Sequence, residues 1–179
     1  MSAGGRAPSQ RLFFASWPDE ATRAALLAAA GPQLPQVGRT LPAVNLHLTL
    51  VFLGNVAAGG LAPLLRVGAA LAWPATNLWL DRLDCWPRAR VLVAATSTPP
   101  PALLELEAEL RDRLATAGLR LAAQPFRPHV TLARDVTARP AAPLAPPVAW
   151  PLAELALVAS QASPGGSRYR PLARWPRDA

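Results

Sequence analysis

One cysteine, one tyrosine, one methionine and no lysine occur among the 179 residues. A lone Cys85 forms no intramolecular disulfide and offers no thiolate cluster to zinc, so the chain reads as an intracellular protein in the cytoplasm and not as a disulfide scaffold. Long apolar runs are also missing. The longest uncharged stretch, between Arg39 and Arg66, is interrupted by Pro42, Asn45, His47, Gly54, Asn55, Gly59 and Gly60, which excludes a membrane-spanning helix. Met1–Gln10 carries Arg6 with no apolar segment behind it, so a signal peptide is not expected and residues 1–10 read as a flexible tail.

What is present is a globular composition. Hydrophobic residues make up 51% of the chain and charged ones 16%, enough to bury a sizeable core in one domain over residues 11–176, followed by a short tail at 177–179. All 18 basic residues are arginine against 11 acidic ones, a formal charge of +7. That balance favours an anionic partner such as nucleic acid or a nucleotide. The lack of lysine, with abundant Ala, Pro and Gly, fits a genomic base-composition bias.

Apolar patterning places strands at Arg11–Ser16, Leu46–Leu53, Asn77–Leu83, Arg90–Thr96, His129–Arg134, Leu155–Ser160 and Tyr169–Trp175. Helices are expected at Ala21–Ala30, behind Trp17-Pro18-Asp19, at Leu61–Ala72, and at Ala102–Ala117. In the last, Leu103, Leu106, Leu110 and Leu114 recur at helical spacing before Gly118. Asp84–Arg88 reads as a turn, Ala138–Pro151 as an irregular Pro/Ala-rich loop, and Pro164-Gly165-Gly166 as a hairpin connection. Neighbouring strands separated by so few residues cannot be joined by a helical crossover. They pair as hairpins, and the fold class is α+β with mostly antiparallel strands.

Both histidines of the chain fall in one tetrapeptide form. His47-Leu48-Thr49-Leu50 is echoed 82 residues later by His129-Val130-Thr131-Leu132, which suggests two related halves. Strand alternation puts His47 and Thr49 on one face and Leu48 and Leu50 on the other, and treats His129 and Thr131 alike. If the halves pack about a pseudo-twofold, two imidazole–hydroxyl pairs meet across one cleft. That set suits displacement at phosphorus, which needs a base on the attacking oxygen and an acid on the leaving oxygen. An unperturbed pKa near 6.5 lets one imidazole be neutral and its twin protonated. The threonine hydroxyls can hold the non-bridging phosphate oxygens.

With their flanks, RLFFASWPDE, NLHLTLVFLGNV, PFRPHVTLARDV and RYRPLARW, these motifs resemble the two-histidine (2H) phosphoesterases. Within that group the chain is most similar to the RNA 2',3'-cyclic phosphodiesterases, long labelled 2'-5' RNA ligases, over Arg11–Pro176. The resemblance implies a bilobal, pseudo-twofold α+β fold with antiparallel sheets lining a central cleft. It implies hydrolysis of a 2',3'-cyclic phosphate end to a 2'-phosphomonoester, with neither metal nor cofactor, and 2'-5' RNA ligation as the same site run backwards. In that family pattern His47 is the proton donor to the departing 3'-oxygen and His129 the acceptor that activates water. The chemistry of the two copies alone does not order these roles. Phe52 and Arg134, each the fifth residue after its histidine, match family positions that flank the nucleobase. Simple alternation puts both on the face opposite the histidine, so each strand must bulge, near Val51 and Ala133. Gly54 supports this only in the first copy. Phe52 in the core and Arg134 as a surface charge is the other reading of the same residues.

Other constellations are weaker. Neither histidine has an Asp or Glu close in sequence, short of a metal site, and neither Ser160 nor Ser163 sits in a nucleophile elbow. Gly165-Gly166 before Ser167 could cradle phosphate, but a tight hairpin explains it. Trp17, Trp73, Trp86, Trp150 and Trp175 read as packing residues, with Trp86 also a candidate for an RNA path. Arg127 and Arg168–Arg174 could add phosphate contacts. The partners expected are RNA ends bearing a cyclic phosphate or small cyclic nucleotides, with no protein partner and a monomeric chain. A cyclic phosphodiesterase for small nucleotides and a non-catalytic RNA-binding module are the rival functions.

Overall fold

The computed structural model describes residues 9–36, 38–137, 141–163 and 166–176. Of the expected tails at 1–10 and 177–179, residues 1–8 and 177–179 lie outside the described residues, as do the first residues of the Ala138–Pro151 loop and Pro164-Gly165; Ser9 and Gln10 are not tail but open the first strand, paired with Ala57 and Val56. The chain runs β1 (Ser9–Ser16), α1 (Glu20–Ala30), β2 (Arg39–Thr40), β3 (Leu48–Ala57), α2 (Leu61–Ala69), β4 (Asn77–Trp86), β5 (Val91–Ala95), α3 (Pro101–Thr116), β6 (His129–Arg134), β7 (Ala142–Pro151), β8 (Glu154–Ser163) and β9 (Gly166–Pro176).

Local chemistry accounts for the helix ends. Asp19 accepts a hydrogen bond from the Thr22 amide at 2.7 Å and caps α1, and that contact lowers its carboxyl pKa. Pro101 opens α3, where a missing N–H costs nothing, and Gly118 follows its end at φ +88°. Leu103, Leu106, Leu110 and Leu114 are all buried, as their spacing predicts.

All strand pairings among the described residues are antiparallel, in the order β7-β4-β5-β6-β3-β1-β8-β9, with β2 on β6. The expected hairpins are β4–β5 and β8–β9. The sheet has an internal symmetry. Its two halves join at the single pair Leu48↔Val130, and each of these is the residue after a histidine. Outward from that junction lie β1, β8, β9 on one side and β5, β4, β7 on the other. In both halves a strand and a helix (β1-α1, β5-α3) precede the histidine motif.

One face of the sheet is covered by helices. Leu48, Leu50, Val130 and Leu132 join Leu26, Leu64, Leu103 and Leu110 in one apolar core, each such side chain contributing roughly 1.5–3 kcal/mol of burial. The opposite face bears two small clusters, Phe13, Ala15, Ala156 and Val158 in one half and Val91, Val93 and Ala95 in the other. The cleft opens between them.

Several boundaries differ from the sequence reading, among them longer ranges for β1, β8 and β9. Strand β3 begins one residue after His47 and continues to Ala57. Helix α2 ends at Ala69, three residues early. The β4–β5 turn is residues 87–90, so Asp84 and Trp86 belong to β4, and Arg90 turns the corner at φ +53°. Most consequential, Ala142–Pro151 is a strand and not a loop. It carries Pro143, Pro146 and Pro147 because it is an edge, hydrogen-bonded to β4 alone, where a missing N–H breaks no second ladder. Leu144, Val148 and Trp150 still point into the core.

Candidate active site

The cleft at the junction has a volume of about 450 Å³, and both histidines and both motif threonines line it. Extending the Leu48↔Val130 register by one residue sets His47 opposite Thr131 and Thr49 opposite His129. Leu48 and Val130 are fully buried on the far face and anchor the junction beneath the four polar groups.

The two imidazoles are held in the same way. Nδ1 of His47 lies 2.6 Å from the Asn45 carbonyl, and Nδ1 of His129 lies 2.7 Å from the Arg127 carbonyl, two residues back in each case. A carbonyl can only accept, so Nδ1–H donates and Nε2 carries the free lone pair of the neutral ring. Different backbones produce the same contact. Before His47 the chain makes a tight turn over Ala43–Asn45; before His129 the Arg127-Pro128 sequence disfavours helical geometry at Arg127.

Aromatic rings fix the imidazole planes. Trp17 stacks on His47 with ring centres 4.9 Å apart and 20° between planes, while its indole N–H donates to the Val44 carbonyl at 3.1 Å. Tyr169 meets His47 edge-on at 4.9 Å, and Phe13 lies 5.2 Å away. Trp86 packs on His129 at 4.3 Å. Trp17 and Trp86 are therefore packing residues whose packing partners are the histidines. Burial lowers the pKa of both imidazoles, most for His47, which falls to about 4. The nearby charges of His129 and Arg134 push His47 the same way, against its bond to the Asn45 carbonyl.

Both bulges required by Phe52 and Arg134 are present. Phe14 pairs with Val51 and Ala15 with Thr49, leaving Leu50 extra; Leu92 pairs with Ala133 and Val93 with Thr131, leaving Leu132 extra. Each bulge lies three residues after its histidine. Leu50-Val51 and Leu132-Ala133 are consecutive buried pairs, and the next residue returns to the cleft face. Phe52 is 60% exposed and Arg134 is exposed, so neither lies in the core. Gly54, at φ +72°, lies beyond the first bulge and does not cause it. The sequence signal is the doubled apolar residue, Leu-Val and Leu-Ala, that breaks the alternation.

Several lining residues escape the sequence reading. Arg39 reaches the cleft from β2, 3.6 Å from Asp135, and joins Arg11 and Arg134 in a cationic rim. Tyr169 and Ser167 arrive from β9, with the Asn45 side-chain amide donating to the Ser167 carbonyl at 3.1 Å. The Ser163↔Gly166 pair closes a hairpin, and Gly166 also lines the cleft. Ser160 lines it from within β8, not from a strand-to-helix elbow. No carboxylate is among the lining residues, and the described residues hold no cluster of three or more metal-ligating side chains. No helix among them is long and apolar enough to cross a membrane.

A pseudo-symmetric antiparallel sheet with two His-x-Thr motifs on one cleft is the architecture of a two-histidine phosphoesterase. Comparison narrows the class. The 2'-5' RNA ligase superfamily profile matches residues 16–163, and the chain belongs to that family. It is 38% identical over 170 residues to the RNA 2',3'-cyclic phosphodiesterase of Escherichia coli K12, covering 93% of this chain and 96% of that one. It is 34% identical to the protein of the same name from Thermus thermophilus, over 92% of this chain and 89% of that one. The crystal structure of E. coli LigT complexed with 3'-AMP superposes with a TM-score of 0.87 at 34% identity, covering 96% of this chain and all of that one.

Proposed function

We propose that the chain opens 2',3'-cyclic phosphate ends of RNA by water, giving 2'-phosphomonoesters without a metal. The observation that carries this is the matched pair of imidazoles, each with Nδ1–H tied to a carbonyl and Nε2 free for the cleft. With phosphorus between them, neutral His129 takes the proton of the attacking water at Nε2. Protonated His47 delivers its Nε2 proton to the departing 3'-oxygen. Thr49 and Thr131 donate to the non-bridging oxygens, and the rim of Arg11, Arg39 and Arg134 attracts the anionic end. The terminal base lies between the Phe52 ring and the Arg134 guanidinium. Both motifs come from one chain, so a monomer suffices, and a lone Cys85 that forms no intramolecular disulfide suits the cytoplasm.

An end-group assay tests this. An oligonucleotide ending in a 2',3'-cyclic phosphate is expected to yield only the 2'-phosphate, at the same rate with and without excess EDTA. A 3'-phosphate product, or loss of activity in EDTA, would overturn the mechanism; tight salt-sensitive binding without turnover would favour an RNA-binding module. Phe52→Ala is expected to raise KM for that substrate by about 5- to 150-fold, the worth of one base–aromatic stack, with a smaller change in kcat.

A further inference from the structure

A groove of about 630 Å³ opens beside the cleft, on the flank of His47. It shares Pro42, Asn45, Ser167 and Tyr169 with the cleft, then runs outward over Val44 and Arg168, neither of which takes part in the chemistry above. Two of the shared residues hold His47: the Asn45 carbonyl accepts its Nδ1–H, and the Tyr169 ring meets it edge-on. His129, Thr131 and Arg134 of the second motif do not line the groove. Its floor is pinned from two sides. The Val44 carbonyl accepts the indole N–H of Trp17, and the Asn45 side-chain amide donates to the Ser167 carbonyl, tying the turn before His47 to β9. That fixed turn nevertheless leaves Val44 69% exposed, more than Phe52. Arg168 is exposed and has no carboxylate partner among the described residues, and no carboxylate is among the described residues that line the groove.

We infer that this groove is the subsite for the nucleotide immediately upstream of the cyclic-phosphate end, with Arg168 on the phosphate that links it to the terminal nucleoside. The inference rests on the phosphodiesterase reading above. Bonding in the substrate fixes the direction. His47 serves the departing 3'-oxygen, so C3' of the terminal ribose lies toward His47. C4' is bonded to C3' and carries the 5' linkage. The strand therefore leaves the cleft on the flank of His47, away from the water at His129, and that flank is where the groove lies. The linking phosphate, ionised throughout the working pH range, meets the Arg168 guanidinium. The upstream base lays one face on Val44 beside Pro42 and takes that apolar surface out of water. Neither contact reads base edges, so the subsite selects a strand over a mononucleotide without selecting its sequence.

Hydrolysis of adenylyl-3'-5'-adenosine 2',3'-cyclic phosphate, compared with that of 2',3'-cyclic AMP, tests the assignment, because only the dinucleotide has an upstream nucleotide. The wild-type protein is expected to show a severalfold higher kcat/KM on the dinucleotide. Arg168→Ala and Val44→Asp are each expected to remove most of that advantage while leaving cyclic AMP hydrolysis unchanged; both positions are exposed, so the variants should fold. Arg168→Ala is also expected to flatten the slope of log kcat/KM against log salt by about 0.7 for the dinucleotide, the share of one phosphate contact on a single strand, and not for cyclic AMP. Equal wild-type kcat/KM on the two substrates, equal losses on both, or no loss in either variant would overturn the subsite and leave the phosphodiesterase reading intact. A dinucleotide-specific loss in Arg127→Ala, on the His129 side, with none in Arg168→Ala would overturn it as well and send the strand the other way. A wild-type protein inert toward both substrates would remove the phosphodiesterase reading and the inference with it.

Discussion

His47→Ala and His129→Ala are each expected to lower kcat for cyclic-phosphate hydrolysis by about 10²–10⁴-fold, the worth of one positioned acid or base. Both rings lie on the cleft face, while Leu48 and Val130 beneath them carry the packing, so the variants should fold. The two losses differ in kind. Without His47 the leaving oxygen departs unprotonated, so a substrate with a more acidic leaving alcohol should recover rate. Without His129 the attacking water lacks its base, and added free imidazole should recover rate instead. The double variant should lose less than the product of the single losses, because acid and base act in one step. Wild-type kcat in either single variant, measured at saturating substrate, would remove that histidine from the chemistry.

A change in the histidine titrations on binding an anion is the second large effect. In the free protein burial holds both imidazoles below 6.5 and His47 at about 4, so at neutral pH both are uncharged. An acid catalyst must nevertheless be protonated. The phosphate supplies what is missing: an anion between the rings favours the imidazolium and raises both pKa values. The acid limb of kcat, which reports the complex, is therefore expected at higher pH than that of kcat/KM, which reports the free protein. NMR titration of the two histidines with and without saturating inorganic phosphate measures this directly. His47 should move up by at least one unit, and midpoints unaffected by phosphate would place the anion elsewhere.

The same depressed pKa values have a consequence for stability. Between pH 6.5 and about 4 the unfolded chain binds a proton at position 47 that the folded chain does not. Stability is at its full value above 6.5 and falls as the pH drops through that window, by roughly 3 kcal/mol for His47, with His129 acting in the same direction. Urea unfolding at pH 7 and pH 5, with and without phosphate, would show the fall and its reversal by the ligand.

Much of this arrangement is legible in the chain itself. The leucine spacing of α3, the hairpins β4–β5 and β8–β9, and above all the repeated His-x-Thr-x tetrapeptide are local patterns. Period-two alternation forces imidazole and hydroxyl to one face and Leu48 or Val130 to the other wherever the strand sits. Strand β7 reads as a loop because proline density argues against a strand, and only its place at the sheet edge removes the objection. Only the family pattern turns Phe52 and Arg134 away from the core. Alternation points them the other way until the bulges at Leu50 and Leu132 reverse it.

The residue pattern alone is sufficient for the antiparallel class, the pairing of the motifs and the choice of candidate reacting side chains, because each depends on neighbours a few positions away. It cannot supply the rings of Trp17, Tyr169 and Trp86 on the histidines, or the entry of Arg39 and Arg11 into the cleft. These contacts join segments up to 122 residues apart, as the Asn45–Ser167 hydrogen bond does. They exist only once β1 has met β3 and β8, β9 has met β8, β5 has met β4 and β6, and β2 has met β6, since no local periodicity encodes which distant strand a sheet edge will find.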